Sequence, residues 1–433
     1  MLRLLYTCEP KDEQGEKMNN SKARNAVLRW AYSALLVVLA SCAGAADWPQ
    51  WLGPDRDGVA PAGTALHPWG DGGPREVWRV NGGGGHAGMA IAGGRLFTAY
   101  ISGDAEWAVA LDAASGKTLW RAELGPVFHE NMGGPGPRST PTVDGDVVYV
   151  VGAQGNLHAL NTADGKGLWQ VDYKERFGSK LPPFGFAGSP LIEGDLLVVE
   201  VGGGAGTQVA ALDKSSGKTV WTGGDDKAGY ASPVALDLDG QRQVAVFGGT
   251  GVAGLDFKDG KVLWKHPWKT SYDISAATPV RVGSEKLFIS TGYDTGGALI
   301  DLATGKPEEV WKNRELRNHF ATSIAYDGYL YGFDESTLKC IDPKDGSRVW
   351  RQRGFGKGTL IVAGGYLVVL GDKGKLALAA ATPTGYKEAA EVQVLGGRCW
   401  VVPSVAGSRL FVRDDQEIVC LDLSAASQGD NGE

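Results

Sequence analysis

Ten residues, LDAASGKTLW from Leu111 to Trp120, return down the chain with small changes. They stand as LNTADGKGLW from Leu160, LDKSSGKTVW from Leu212, LDFKDGKVLW from Leu255 and IDPKDGSRVW from Ile341, with a looser copy, IDLATGKPEEVW, from Ile300. Each copy reads as a strand, a turn and a second strand. Asp112 is placed to accept N–H groups two or three residues on. Gly116 supplies the left-handed residue that brings the chain back. The Trp, four residues past the Gly, offers a large apolar face to a neighbouring sheet.

Taking the Asp as a marker gives Asp112, Asn161, Asp213, Asp256, Asp301, Asp342, Ala381 and Asp422, at steps of 39 to 52 residues. That period suits propeller blades of four strands. The alternating, glycine-punctuated pattern excludes helical repeats, and the 65 glycines fall without a collagen period. One unit reads as strands Ser139–Val143, Val147–Gly152, Leu157–Asn161 and Gly167–Val171. Its first strand opens on Thr140-Pro141, as others do on Ser189-Pro190, Ser232-Pro233 and Thr278-Pro279.

The two ends complement each other. The last copy, Ile418–Leu423, stops before any Gly and Trp, whereas the strand around Trp78 has no Asp turn before it. Trp78 is therefore expected to complete the C-terminal blade. The expected fold is an all-β, eight-bladed propeller of four-stranded antiparallel blades, closed by pairing of N- and C-terminal strands. Trp78, Trp120, Trp169, Trp221, Trp264, Trp311 and Trp350 are the expected inter-blade docking residues. The seventh blade, with Ala381 at the Asp position and Ala389 at the Trp position, is expected to pack more loosely.

The N-terminus reads as an export leader, with Lys22, Arg24 and Arg29 before the apolar run Trp30–Ala40. The polar stretch before Met18 suggests Met18 as the start. Two processing readings stand side by side: a lipobox at Leu39–Cys42 that would lipidate Cys42, and ordinary cleavage near Ala43–Ala46. The expected divisions are a leader over 1–46, an N-terminal segment over 47–76, the propeller over 77–423 and a disordered tail over 424–433. Location is accordingly outside the cytoplasm, as a soluble periplasmic protein or an outer-membrane lipoprotein. Cys340, Cys399 and Cys420 lack any close partner in sequence and read as small buried hydrophobes; one disulfide would leave an odd thiol. A net charge of −7 and no long basic run argue against nucleic acid.

The pattern A-x-D-x-x-[ST]-G-K-x-x-W, standing here as ALDAASGKTLW and ALDKSSGKTVW and, with Asn161 and Asp164 in place of two of its residues, as ALNTADGKGLW, resembles the tryptophan-docking motif of pyrroloquinoline-quinone-type β-propellers. The likeness runs from about residue 77 to 423, and WPQWLGPDRDG, from Trp48, resembles the opening of many exported propellers. Two branches share the motif: the quinoprotein dehydrogenases, and the non-enzymatic lipoprotein of the outer-membrane β-barrel assembly machine, which is closest in type. The first implies pyrroloquinoline quinone above a Trp and beneath a disulfide of neighbouring cysteines, with a calcium ion and an Asp base. This chain has no adjacent cysteine pair and no matching calcium set. His67, His86, His129, His158, His266 and His319 show no metal-ligand spacing, and the glycine runs 82–85 and 202–204 lack the Lys-Ser/Thr of a phosphate loop.

The remaining place for function is the mouth of the ring, formed by segments that precede each first strand. It is expected to gather His86, His129, Glu130, Arg138, Phe184, Phe186, Tyr230, Tyr272, Asp273, His319, Lys357, Arg398 and Trp400. GPGPRSTP would fix Arg138 in place, and LPPFGF would expose two aromatics. The reading that follows is a monomeric, exported scaffold without cofactor that binds envelope proteins, with an outer-membrane β-barrel as the named partner class. The alternative is a quinone- and calcium-dependent alcohol or sugar dehydrogenase.

Overall fold

The computed structural model describes residues 47–424. The expected export leader with Cys42 and, from residue 425, the expected disordered tail lie outside them. Among the described residues the backbone forms thirty-two strands in eight four-stranded sheets, every pairing within them antiparallel. Blades 1 to 7 are contiguous, starting at Ala90, Thr142, Leu191, Val234, Val280, Ile324 and Thr359. Blade 8 takes three strands from Ser404–Asp422 and its outermost from Arg75–Asn81, with Trp78 opposite Cys420. First strands lie innermost, and those of blades 8 and 1 touch, closing the ring.

The repeated phrase behaves as its chemistry dictates. Ser115 N donates to Asp112 Oδ1 at 2.8 Å, and Gly116 N to Asp112 O at 2.8 Å. Gly116 has φ +72°. In blade 1 the strand register then slips by one residue, so that Leu111 faces Thr118 and Ala110 faces Trp120. This bulge leaves Leu119 outside the pairing and aims the indole at the next blade. Five of the exposed large apolar side chains, Leu119, Leu168, Val220, Val310 and Val349, are these bulge residues.

Six indoles dock forward in one way. Trp78, Trp120, Trp169, Trp221, Trp311 and Trp350 donate Nε1 to carbonyls of the following blade's turn at 2.7–3.1 Å: Ala113, Thr162, Lys214, Phe257, Pro343 and Thr382. In five of these turns the ring lies over the Gly itself. A Cβ on Gly165, for example, would stand 2.5 Å from the Trp120 ring. Trp264 departs from the expected docking. Its Nε1 donates to Gln243 Oε1 of its own blade at 2.8 Å. The cross-strand partner of Trp264 is Gly254, which leaves room for the indole to fold across its own sheet. The facing turn is two residues longer, and its Gly305 meets nothing within 4 Å. Trp264 still packs in the core shared by blades 4 and 5.

Blade 7 corrects the register read from sequence. Tyr366 pairs with Ala380 and Leu378 with Ala390, so these residues, not Ala381 and Ala389, hold the Asp and Trp positions. The turn is longer, with Ala380 N bonded to Lys387 O. Nor is the blade loosely packed. Leu367–Leu370 and Leu376–Leu378 are fully buried, and the N-terminal segment covers the vacant docking position with Leu66 and Trp69, whose Nε1 reaches Glu391 O at 3.4 Å. The first strand of blade 2 is shorter than expected, Thr142–Asp144. The hydroxyl residues before the prolines join blades instead: Thr140 N donates to Ser189 Oγ, Ser189 N to Ser232 Oγ, Ser232 N to Thr278 Oγ1 and Thr278 N to Thr322 Oγ1, at 2.9–3.3 Å. Cys340, Cys399 and Cys420 are buried free thiols.

The segment from Trp48 to Ala60 crosses the end of the channel. Trp48 pairs with Ile91 of blade 1, Pro49 O accepts Val143 N of blade 2, and Ala60 N reaches Val362 O of blade 7. Arg56 donates to Ser189 O and Pro190 O before blade 3 at 3.2 and 2.9 Å. Burial, with Arg281 adding its charge, pushes that guanidinium down to about 9. Trp51 Nε1 donates to Thr278 Oγ1 at 3.1 Å. Six of the eight blades are thus engaged by one short stretch, with Arg281 of blade 5 donating to Asp55 O and Gly58 lying against Ile324 of blade 6.

A candidate binding mouth

The opposite end of the channel is built by the links from each fourth strand to the next first strand. Carboxylates near the ends of the second and third strands pin these links by their backbone. Glu200 accepts Gly229 N at 3.1 Å, Asp372 accepts Lys357 N at 3.0 Å and Asp414 accepts Gly397 N at 2.8 Å. Glu106 accepts both Phe128 N and Ala153 N. These acids went unnoticed in the sequence because isolated carboxylates at strand ends read as solvated charges. Burial raises Glu106 and pushes Glu200 up to about 8.

Held this way, the links enclose an axial cavity of about 390 Å³ whose floor is Trp51. Rings in successive contact form an arc along its wall and outward to Tyr272, which lies beyond it. Tyr272 meets Tyr293, Tyr293 meets His319, His319 meets Phe320, Phe320 meets Trp400 and Trp400 meets His86, with centroids 4.9–5.7 Å apart. Phe184 and Tyr230 face each other at 5.7 Å across the rest of the wall. Tyr293 and Phe320 were missing from the sequence reading. Phe320 adjoins His319, whereas Tyr293 comes from a loop between second and third strands, a loop class the reading left aside. Its φ of +55° marks a turn that lifts the ring into the arc.

The charged groups are mostly occupied. Arg138 Nη2 donates to Glu130 Oε1 at 3.0 Å and Gly134 O at 2.6 Å, Nη1 reaches Gly136 O, and the guanidinium covers Phe128. Glu130 also accepts Met132 N and Gly133 N. Lys357 pairs with Glu335 at 3.3 Å and Asp273 with Lys227 at 2.5 Å. Arg398 differs: its guanidinium stacks on Trp400 at 4.7 Å and, among the described residues, donates only to Gly133 O. His86 Nε2 lies 2.8 Å from Gly133 O, and burial pushes the imidazole down to about 4. Burial, then Lys357, lowers His319. Both histidines are therefore neutral near pH 7. Six of the thirteen expected members do not line this cavity: Tyr272 and Asp273 line a neighbouring one, Glu130 and Arg398 contact the lining residues Arg138 and Trp400, and Phe186 and His129 lie elsewhere. Phe186 is buried at 3% exposure against Tyr173, because Gly185 (φ +73°) turns it beneath the surface. His129 is exposed and does not line the cavity.

A sequence-family profile described as "Outer membrane protein assembly factor BamB" matches residues 71–172, 104–352 and 334–428. The chain belongs to this BamB-type family of PQQ-like propellers. No curated protein sequence matches it at a significant level. Among solved structures, BamB from Moraxella catarrhalis is similar at TM-score 0.60 and 17% identity, over 81% of this chain and all of that one. Quinohemoprotein alcohol dehydrogenase from Comamonas testosteroni is similar at TM-score 0.62 and 13% identity, over 92% of this chain and 83% of that one. A quinohemoprotein alcohol dehydrogenase of Pseudomonas putida gives 0.61 and 14%, over 89% and 81%. At such identities these likenesses speak to the fold alone. The BamB-type family thus shares its ring with quinone enzymes.

Proposed function

We propose that this BamB-type propeller is a non-enzymatic binding scaffold of the bacterial envelope that docks a protein partner at its mouth, in the assembly of outer-membrane proteins. The observation that carries the reading is the arc of six rings from Tyr272 to His86, rigidly backed by the ring and floored by Trp51. Aromatic anchors on fixed loops are the usual carriers of interface energy. The donor set of the mouth favours docking over quinone chemistry. A calcium-assisted dehydrogenation needs carboxylates for the ion and for the base. Glu130 and Glu335, the acids beside the cavity, are committed to Arg138, Lys357 and backbone N–H groups. The residues present therefore do not fit a calcium–quinone pair. The family description, together with the export leader read from the sequence, supports an envelope location.

Photo-crosslinking side chains at Met132 and Phe320, with Leu168 on the outer edge as control, test this in the envelope fraction of the source bacterium. Adducts with outer-membrane assembly proteins from the two mouth positions alone are expected. Alcohol-dependent dye reduction after loading with pyrroloquinoline quinone and calcium would overturn it.

A further inference from the structure

A second cavity, about 790 Å³, runs outward from the axial one across blades 3 to 5. The two share Met132, Phe184, Tyr230, Ile274 and Tyr293, so they form a single trough. Its outer part holds an unusual surface. Among the described residues eight large apolar side chains are exposed, and five are bulge residues on the circumference. The other three, Met132, Leu181 and Tyr272, all line this trough, at 76%, 42% and 68% exposure. Apolar side chains gathered along a groove mark a binding surface rather than chance exposure.

The charges give the ligand a sign. The carboxylates lining the trough, Asp225 and Asp273, are paired with Lys265 at 2.7 Å and Lys227 at 2.5 Å. Two cations have no carboxylate within 4.0 Å among the described residues: Lys180, which lines the outer end, and Arg398, which stands beside the trough by stacking on the lining Trp400. The trough thus presents unpaired positive charge on a chain whose formal net charge is −7, and like sign would repel a basic ligand.

We propose that the two cavities bind one extended, acidic polypeptide segment carrying an aromatic side chain. The aromatic seats above Trp51 among Phe184, Tyr230 and Phe320. The acidic residues lie against Arg398 and Lys180, and the backbone runs outward over Pro182, Pro183 and Gly202–Gly204. This rests on the reading of the mouth as a docking site and specifies its ligand.

The test is fluorescence anisotropy with three labelled ten-residue peptides on the intact protein: alternating glutamate and serine around one tryptophan, the same with alanine for tryptophan, and the same with lysine for glutamate. The acidic aromatic peptide is expected to bind at least tenfold tighter than either control and to weaken with salt. In the double variant Arg398→Glu, Lys180→Glu the preference between acidic and basic peptides should reverse. Both residues are exposed, so an unchanged melting curve confirms that the fold is intact. Equal binding of the three peptides, or an unaltered preference in the double variant, overturns the inference. If mouth crosslinks to envelope proteins persist in that case, only the acidic-peptide assignment falls; if they are absent as well, the docking site falls with it.

Discussion

Arg413→Met probes how the ring is locked. Arg413 is fully buried, and among the described residues no carboxylate lies within 4.0 Å of its guanidinium. Its guanidinium donates to Gly82 O, Ala87 O, Ala99 O and Thr98 Oγ1 at 3.0–3.2 Å, with longer bonds to Gly83 O and Gly85 O. The glycine run 82–85 is therefore a carbonyl cradle joining the closing strand to blade 1. Two effects oppose each other in the substitution. Burial pushes Arg413 down to about 10 from 12.5, so losing the charge relieves about 3 kcal/mol at about 1.4 kcal/mol per unit. Losing four charge-assisted bonds at about 1.5–2 kcal/mol each costs about 6–8 kcal/mol. The net loss is about 3–5 kcal/mol. With an unfolding entropy near 2.1 cal/mol/K per residue, a ring of this size has roughly 0.8 kcal/mol/K, and the melting temperature should drop by about 4–6 °C. Differential scanning calorimetry reads this directly. A shift within 1 °C, or a rise, refutes the cradle as the lock.

Gly165→Ala and Gly305→Ala form a matched pair, since both have φ +72° but only Gly165 lies under an indole. Both carry a left-handed penalty of about 1–2 kcal/mol, and Gly165→Ala should cost about 1–3 kcal/mol more by overpacking; equal urea midpoints would mean that Trp120 docking contributes little. Glu200 is raised by burial from 4.5 to about 8, so the folded state holds a proton that the unfolded chain releases, and wild-type stability falls as pH rises from about 4.5 to 8 by at most 4–5 kcal/mol. Glu200→Gln keeps the neutral form and should gain on wild type steadily over that window; a constant difference between pH 5 and 8 in urea melts contradicts the assignment. Removing residues 1–61 takes away the channel plug but spares the closing strand, and should lower the melting temperature of a still cooperative ring. Removing residues 1–79 should abolish cooperative unfolding, and two truncations that melt alike would show that Arg75–Asn81 is not what closes blade 8.

The architecture was legible because its main contact is local. Asp, Gly and Trp lie within about ten residues of one another, and the Gly under five of the indoles is itself part of the phrase. The misplacement at Ala381 and Ala389 arose where that phrase lengthens, since a longer turn shifts the strand register without changing residue types. The departure of Trp264 depends on Gly254 across the sheet, a pairing that spacing along the chain does not reveal. The mouth was legible in outline from the order of strands and loops, which placed Trp400, His319 and Tyr230 correctly. Burial was not: Phe186 and Phe184 stand two residues apart, and only the backbone turn at Gly185 decides which faces the cavity. The plug was hidden because Arg56 and Trp51 reach residues more than 130 positions away.

Hydrogen exchange of the intact protein, alone and with the envelope protein captured by the mouth crosslinks, tests the proposed docking site most directly. Protection on binding should fall on the links that contain Met132, Phe184, Tyr272, Phe320 and Trp400, and leave the outer strands unchanged. Protection of the circumference around Leu119, Val220 and Val349, with the mouth exchanging as before, would contradict the account.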